Sequence, residues 1–314
     1  MAVLEKFNSI SNNGLVWVDV NEPNRNTLLE LSEIYPLHAL NIEDSLSKVQ
    51  IPKIDRYKDQ LFIIIHFPIY EGGIPKQSQL SIFIGNDYLI TIHKDDLKVL
   101  TDMFNQCKND QRQRNTLMGI SSGYLLYKII DLLVDDLLHI LVKVENSLDD
   151  IEDLVFDENI SAIRPITYLR REIVTLRRIV VPLKRIVAEI SRDIQRFSNE
   201  DLTLYLNDLK DHLDKAIEVL DVAKETVEIF TDTDYINNSE KTNKILAILT
   251  IVFTLSIPAT LIAAFYGMNI NLPGGLGEDV NFLGKYTVFI IITIISIASV
   301  LLMAYIFYRK RWLS

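Results

Sequence analysis

Two long runs of uncharged residues near the C-terminal end restrict what this chain can fold into. They cover residues 245–265 and 286–308, twenty-one and twenty-three residues without Asp, Glu, Lys, Arg or His. An apolar helix needs roughly 20 residues to cross a bilayer core of about 30 Å. We therefore predict two membrane-spanning helices. The alternative is a pair of helices buried in the core of a soluble domain.

Basic residues flank both runs and predict their orientation. Lys241 and Lys244 precede the first run, and Arg309, Lys310 and Arg311 follow the second. Because Lys and Arg favour the cytoplasmic side, we expect a multi-pass protein of the cell (inner) membrane with both termini in the cytoplasm. The N-terminal residues show no secretory signal pattern, and the single cysteine is compatible with a reducing compartment.

The net charge of the chain changes sign just before the first uncharged run. The whole chain carries a net charge of −10; residues 241–314 hold six Lys or Arg and two Asp or Glu, a net of +4, which leaves −14 for residues 1–240. So acidic a region argues against nucleic acid as a partner. It is compatible with divalent cations, although acidic surfaces mostly serve solubility.

The first part of the chain has the pattern of a mixed α/β domain. Short β-branched and aromatic runs at 15–20, 61–67, 80–85 and 88–93 predict strands, with turn residues between the later ones. The segments 26–35 and 37–46 have helical spacing. We expect a small mixed sheet flanked by helices.

The middle of the chain predicts long helices, since no glycine occurs between Gly123 and Gly267. An acidic helix from Tyr124 to about Asp157 is followed by a basic one, and we expect an antiparallel hairpin in which their charges compensate. The alternative is that the basic helix contacts nucleic acid or lipid.

The next helix carries a heptad seam with alternating spacings of four and three. Its members are Leu202, Leu206, Leu209, Leu213, Ala216, Leu220, Ala223, Val227 and Phe230. Neither Gly nor Pro follows before the first uncharged run, so we predict that this helix continues into the first span. The seam packs either against other copies around an axis or within one copy, and periodicity leaves both open.

These patterns divide the chain into six parts. The predicted parts are a cytosolic α/β domain (1–115), an acidic and basic helical hairpin (116–200), a stalk helix continuous with the pore-lining span (201–265), an extracytoplasmic loop (266–285), a second span (286–308) and a basic cytosolic tail (309–314).

The first uncharged run is the better candidate for lining a pore. Its apolar pattern is interrupted by Thr250, Thr254, Ser256, Pro258 and Thr260. Small polar residues in a span indicate helix packing or the lining of a pathway. Neither span has the acidic residues that would bind a bare divalent ion in a ring. One such span cannot enclose a pore, so a channel would need several copies.

The segment Tyr-Gly-Met-Asn at 266–269 stands where the first span ends. Mg²⁺ tends to retain several waters, and a ring of neutral amides can hydrogen-bond those waters without removing them. Asn269, repeated once per copy, would supply such a ring, and Gly267 would permit tight backbone geometry beside it. The alternative is an ordinary helix C-terminus with a glycine stop.

Gly267, Met268 and Asn269, at the end of the first of two C-terminal spans, resemble the signature of the CorA family of magnesium channels. The stretch "KTNKILAILTIVFTLSIPATLIAAFYGMN" at 241–269 is similar to the family's pore helix. Segments 38–55, 124–136 and 205–212 and the basic tail also resemble family patterns. The resemblance covers essentially the whole chain.

The resemblance implies a funnel-shaped homopentamer with an ion pathway on its axis. Gly267, Met268 and Asn269 would form the selectivity filter for hydrated Mg²⁺. The other implied positions are Asn243 as a cytoplasmic ring, Leu246, Leu249 and Ile257 as a hydrophobic constriction, and Thr260 as a polar ring.

Two features leave the rotation of the pore helix open. The family often has Met where Leu246 and Ile257 stand, and Phe253 is bulkier than the small residue expected beside them. A face drawn only from the polar residues Asn243, Thr250 and Thr254 is rotated slightly from the implied face.

The resemblance also implies regulation by intracellular Mg²⁺. Asp44, beside Glu43, would meet Asp208 of a neighbouring copy across a shared Mg²⁺ ion, with Asp131 assisting. The ion would hold a closed, symmetric arrangement, and its loss would leave close carboxylates repelling one another. Without the resemblance these would be ordinary surface acids.

The sequence therefore predicts a Mg²⁺ channel, tolerant of Co²⁺ and Ni²⁺, that conducts hydrated ions passively along the membrane potential. The alternatives are a zinc transporter of the same superfamily, with proton coupling, and a membrane-tethered helical scaffold without transport. Met268 favours the channel over the zinc relatives. We expect neither an enzyme nor a cofactor, because no nucleophile motif, phosphate-binding loop or histidine spacing for a metal occurs.

Overall fold

A computed structural model describes residues 7–47, 50–157, 160–268 and 287–309. The chain divides into two compact units, Met1–Asp232 and Thr233–Ser314, and each is described by itself.

The first unit contains a six-stranded mixed sheet in the order β1-β2-β6-β5-β4-β3. The strands are β1 (Ser9–Asn12), β2 (Leu15–Asn21), β3 (Lys53–Arg56), β4 (Leu61–Glu71), β5 (Ile74–Ile84) and β6 (Tyr88–His93). β2 and β6 pair in parallel and the other neighbours are antiparallel. The four predicted strands are confirmed. The sequence interpretation missed β1 and β3, which are four-residue strands at the two edges of the sheet.

Two glycines shape the longest hairpin. β4 and β5 pair over eleven residues each, and Glu71 lies opposite Ile74, so only Gly72 and Gly73 remain in the turn. Both have positive φ, +61° and +78°. A two-residue hairpin turn of this kind requires left-handed backbone at both positions, which glycine adopts without steric cost.

Apolar cores lie on both faces of the sheet, beneath helices. The helices that begin in the first unit are α1 (Arg25–Ser32), α2 (Ala39–Leu46), α3 (Lys98–Asn109), α4 (Gln111–Met118), α5 (Ser122–Phe156), α6 (Ile163–Asp193) and α7 (Thr203–Gly267), and α7 continues into the second unit. Side chains alternate along β2: Trp17 belongs to the core with α3, α5, α6 and α7, whereas Val18 belongs to the smaller core with α1 and α2. The predicted mixed α/β domain is confirmed.

The heptad seam of α7 is buried within a single copy of the chain. All nine seam residues, from Leu202 to Phe230, are at most 6% exposed and share one apolar cluster with α5 and α6. Of the two interpretations that periodicity left open, the structure therefore supports packing within one copy. The idea that this seam gathers several copies around an axis is wrong, because its apolar side chains already have partners.

Charge compensation for the basic helix comes from α7. Arg177 Nε lies 2.7 Å from Asp221 Oδ1, and Lys184 contacts Asp214, so α6 and α7 are joined by two ion pairs. On the other side of α7, the rings of Tyr127 and Tyr205 lie 5.2 Å apart. The basic residues were expected to face the acidic helix α5, whereas these pairs face the acids of α7.

The second unit contains two apolar helices of sufficient length to cross a bilayer. These are the C-terminal part of α7 and α8 (Thr287–Arg309), whose apolar stretches are not buried. α7 runs without interruption from Thr203 to Gly267. The predicted continuation of the seam helix into the first apolar run is confirmed.

A buried ion pair lies inside the sheet of the first unit. His93 Nε2 is 3.2 Å from Asp19 Oδ1, and the other ring nitrogen of His93 contacts the carbonyl oxygen of Lys94. Thr91 Oγ1 donates to the same Asp19 oxygen at 2.6 Å. Burial alone would lower the pKa of His93, but the hydrogen bond and charge of Asp19 outweigh it and raise this pKa.

The raised pKa of His93 gives folding stability a definite pH dependence. The folded protein holds the proton at pH values where an unfolded histidine, with a pKa of about 6.5, has lost it. The stabilisation is therefore fully present below about pH 6.5 and is lost as pH rises through the folded pKa.

We expect His93→Gln to lower the free energy of unfolding by about 1.5–3 kcal/mol at pH 6, the range for a hydrogen bond to a charged group, and by less at pH 8.5. Unfolding of the full-length protein at both pH values measures this, with His139→Gln on the exposed face of α5 as the control. An equal loss at both pH values would contradict a protonated His93.

The buried seam predicts a second stability effect. Leu213→Ala on α7 should destabilise the protein by about 2–5 kcal/mol, because it leaves a cavity in the apolar cluster. Val222→Ala, at an exposed position of the same helix, should change stability by no more than about 0.5 kcal/mol. Thermal unfolding compares the two, and similar small effects would show that the seam is not packed as described.

Candidate functional site

The predicted constriction residues lie on one uncovered stripe of α7. Leu246, Leu249 and Ile257 are 54%, 47% and 52% exposed, and Phe253, between them, is 68% exposed. Asn243 and Thr260 extend the stripe at its two ends and are also exposed. The spacings of three and four along this set place all six side chains on one helix face.

A second stripe of α7 is half-buried. Its members are Ile251, Thr254, Leu255, Pro258 and Ile262. In the same unit α8 has a half-buried stripe of matching spacing, formed by Ile292, Ser296, Ser299, Met303 and Phe307. Stripes of this kind are typical of the contact faces of two packed helices. Thr254 therefore belongs to the half-buried stripe, whereas the other two residues of the polar face, Asn243 and Thr250, are exposed.

The hydroxyl groups of the first span donate within their own helix. Thr260 Oγ1 donates to the carbonyl oxygen of Ser256 at 2.9 Å, and Thr250 Oγ1 donates to that of Leu246 at 2.7 Å. A hydroxyl that has donated its only hydrogen still has acceptor lone pairs. The exposed Thr260 oxygen therefore presents an acceptor to whatever lies outside the helix.

The end of α7 contains two of the three predicted filter residues. Gly267 is the last helical residue, and the Met268 N–H donates to the Phe265 carbonyl oxygen at 3.2 Å. Gly267 has no positive φ, and a Cβ built there would meet no atom within 4 Å. Gly267 therefore does not adopt the left-handed backbone of a glycine helix stop, and within one chain a side chain could replace its hydrogen without a clash. Asn269 lies outside the described residues.

Asp44 is held by three side chains. On α2, its Oδ2 lies 2.7 Å from Lys53 Nζ, and its Oδ1 accepts from Gln50 Nε2 at 2.9 Å. Lys53 also lies 2.6 Å from Asp55 Oδ2. Partial burial acts to lower the pKa of Lys53, but the hydrogen bonds of Asp44 and Asp55 raise it, so Lys53 is a cation. Gln79 Nε2 donates to the Asp44 carbonyl oxygen at 3.2 Å.

Asp131 on α5 also has a cationic partner. Lys128 Nζ lies 3.2 Å from its Oδ2, one helical turn away. The ammonium also lies 4.8 Å from the ring centroid of Tyr127. Burial, followed by the charge of Asp131, raises the pKa of Tyr127 to about 12. Tyr127 therefore remains a neutral phenol beside this pair.

Asp208 and Glu43 are presented to solvent. Asp208 lies on the exposed side of α7 with 64% of its side chain accessible, and His212 Nε2 is 3.9 Å from its Oδ1. Glu43 is exposed on α2. Among the described residues, no three His, Cys, Asp or Glu side chains are close enough together to hold a metal ion. One copy therefore does not assemble the four predicted acids into a site.

Two residues near Asp44 were not singled out from the sequence. Lys53 and Gln50 lie in segment 38–55, whose resemblance to the family assigns neither of them a role. A weak signal was present, because Lys53 and Asp55 alternate along β3 and so project from the same side of the strand. That pattern does not reveal which carboxylate on α2 the lysine would meet.

Known proteins share both the sequence pattern and the fold. The profile of the CorA family, described as a CorA-like Mg²⁺ transporter protein, matches residues 12–310. The cobalt/magnesium transport protein CorA of Thermotoga maritima is 24% identical over 95% of this chain and 83% of its own length.

Solved structures resemble this chain over nearly its full length. The CorA magnesium transporter of Methanocaldococcus jannaschii superposes with a TM-score of 0.81 at 23% identity, over 97% of this chain and 93% of that one. The full-length CmaX protein superposes with a TM-score of 0.74 at 19% identity, over 95% and 89%. At these identities the structural likeness establishes the fold.

Proposed function

This chain belongs to the CorA-like Mg²⁺ transporter family, and on that premise we propose that it is a magnesium channel for passive uptake of hydrated divalent cations, including Co²⁺ and Ni²⁺. The family consists of transporters and not of enzymes. The proposed assembly is a homopentamer in the cell (inner) membrane with both termini in the cytoplasm, and its pathway is lined by α7.

The observation that carries the proposal is the uncovered, uncharged stripe of α7. It runs from Asn243 through the apolar residues to Thr260, on the face that is not shielded in the second unit. A single helix cannot enclose a pore, so copies of the same stripe must face one another around an axis. The stripe is exposed along its whole length, so its side chains are available for such contacts.

The chemistry of the stripe suits an ion that retains its water. Waters bound to Mg²⁺ donate hydrogen bonds outward, and Mg²⁺ dehydrates reluctantly. Thr260 offers an acceptor oxygen because its own hydrogen is used inside the helix. Asn269 would add an amide oxygen per copy at the filter, with Gly267 and Met268 leading to it.

The apolar middle of the stripe supplies a gate. Rings of Leu246, Leu249 and Ile257 offer a hydrated ion no hydrogen bonds, and a narrow apolar constriction closes by dewetting. Opening then requires only that these rings separate enough for water to enter. Asn243 would form the polar ring on the cytoplasmic side of the constriction.

The membrane potential is a sufficient driving force. A divalent ion that crosses about 100 mV gains about 4.6 kcal/mol, twice the value for one charge. That free energy corresponds to an accumulation of roughly 10³-fold. No nucleotide-driven step is needed for uptake.

Intracellular Mg²⁺ would regulate the channel from the first unit. In the proposed arrangement, an ion shared by Asp44 of one copy and Asp208 of the next favours the closed state, with Glu43 and Asp131 nearby. Two observations support it: Asp44 is fixed in position by Gln50 and Lys53, and Asp208 points into solvent. A ligand that binds one state better shifts the population toward that state.

The filter is tested by uptake into liposomes that contain the purified protein, at a set membrane potential without a pH gradient. We expect Mg²⁺ entry that follows the potential and disappears with Asn269→Ala. Asn269→Asp should keep assembly but alter discrimination among divalent ions. The exposed cytosolic Asn199→Ala is the control and should leave flux unchanged. Zn²⁺ entry only under a proton gradient would refute the channel and favour the zinc transporter.

Regulation is tested with Asp208→Asn in the same liposomes, with Mg²⁺ varied on the side of the first unit. The substitution removes the negative charge that would attract the shared ion, so we expect flux to persist at internal Mg²⁺ concentrations that inhibit the unmodified protein. Asp211→Asn, exposed on the same helix, is the control. Superimposable inhibition curves for Asp208→Asn would remove this residue from the mechanism.

A further inference from the structure

We propose that the Lys53 ammonium is the resident cation of the regulatory site: it occupies the Asp44 carboxylate when Mg²⁺ is absent, competes with Mg²⁺ for it, and so sets the internal Mg²⁺ concentration at which the channel closes. This inference rests on the proposed regulatory function of Asp44. It assigns a role to a side chain that is not itself a metal ligand.

The geometry around Asp44 supports such an exchange. Lys53 Nζ is 2.7 Å from Asp44 Oδ2. At this distance the ammonium occupies a carboxylate oxygen that Mg²⁺ would otherwise be able to bind. The two side chains are 35% and 22% exposed, so water and ions reach the pair. A carboxylate is also a ligand that suits Mg²⁺, which binds through one or two carboxylates and keeps several waters.

The carboxylate is fixed while the ammonium has a second place to go. Gln50 holds Asp44 Oδ1, and Gln79 and the Ser47 N–H both donate to the Asp44 carbonyl oxygen, which anchors the end of α2. Lys53 also lies 2.6 Å from Asp55 Oδ2. If Mg²⁺ takes Asp44, Lys53 keeps Asp55 as its partner and no lysine charge is left uncompensated.

The competition has a definite direction. Two cations at one carboxylate repel each other, so Lys53 must weaken Mg²⁺ binding, and Mg²⁺ must weaken the Lys53–Asp44 pair by the same factor. Departure of Mg²⁺ then leaves Asp44 paired with Lys53. The open state would therefore arise from an exchange of cations at Asp44, and repulsion between bare carboxylates would not be its cause.

The experiment compares Lys53→Met with Lys53→Arg and Lys76→Met in the full-length protein. Methionine removes the charge but keeps an unbranched side chain near the Phe62 ring, whose centroid lies 5.6 Å from the ammonium. Arginine keeps the charge. Lys76 pairs with Glu71, which is not a proposed ligand, so Lys76→Met controls for the loss of a lysine–carboxylate pair.

Two readouts are taken for each variant. The first is the Mg²⁺ concentration that gives half of the maximal Mg²⁺-dependent rise in thermal stability of the purified protein, which reports binding without transport. The second is the internal Mg²⁺ concentration that halves flux in liposomes. For Lys53→Met we expect both concentrations to fall between about three- and ten-fold, the effect of removing one nearby charge at a partly exposed site.

The outcomes separate this inference from the function it rests on. Lower half-effect concentrations in Lys53→Met, with Lys53→Arg and Lys76→Met close to the unmodified protein, support the exchange. Mg²⁺-dependent stabilisation whose midpoint is unchanged in Lys53→Met overturns the role of Lys53 and leaves the regulatory site intact. Absence of any Mg²⁺-dependent stabilisation in the unmodified protein refutes the regulatory site, and the role of Lys53 with it.

Discussion

The burial of one side of α7 is the interaction on which the rest of this structure depends. From Leu202 to Phe230 its seam is enclosed by α5 and α6 in the apolar cluster of the first unit. Because that side is occupied within one copy, the other side of the same helix is available to solvent or to a neighbouring copy. Asp208 lies there, which is the position that a ligand shared between copies would require.

Charge is handled differently in the two units. The first unit is acidic, and several of its carboxylates have a cation at contact distance: Asp44 has Lys53, Asp131 has Lys128 and Asp221 has Arg177. The uncovered stripe of α7 in the second unit carries no charge. A hydrated ion on that stripe would meet hydrogen-bond acceptors and apolar side chains, whereas an ion at Asp44 would meet a carboxylate that already has a cation.

These differences have consequences for function. A neutral pathway favours rapid passage, because an ion that keeps its waters is held by weak and replaceable hydrogen bonds. A carboxylate site would bind the ion more strongly, and a competing lysine would weaken that binding. In the proposed mechanism, conduction thus uses neutral hydrogen-bond acceptors that contact the ion's waters, whereas sensing uses a charged carboxylate that binds the ion.

The sequence by itself determined those features that depend on neighbouring residues. The two spans follow from uninterrupted runs without charge, the unbroken α7 from the absence of Gly and Pro before its apolar run, and the four longer strands from β-branched runs between turn residues. The resemblance at Gly267, Met268 and Asn269 predicted the family, which the profile match over residues 12–310 confirms.

Only the tertiary structure decided which residues each helix face packs against and which partner each charged side chain has. Periodicity shows that the residues from Leu202 to Phe230 share a face of α7. It does not show which helices pack against that face, and the structure identifies them as α5 and α6 of the same copy. Likewise, Thr254 and Ile257 are both compatible with a pore from sequence, and only packing shields the first. Lys53 stands nine residues from Asp44 on a different element, and the fold alone brings its ammonium to that carboxylate.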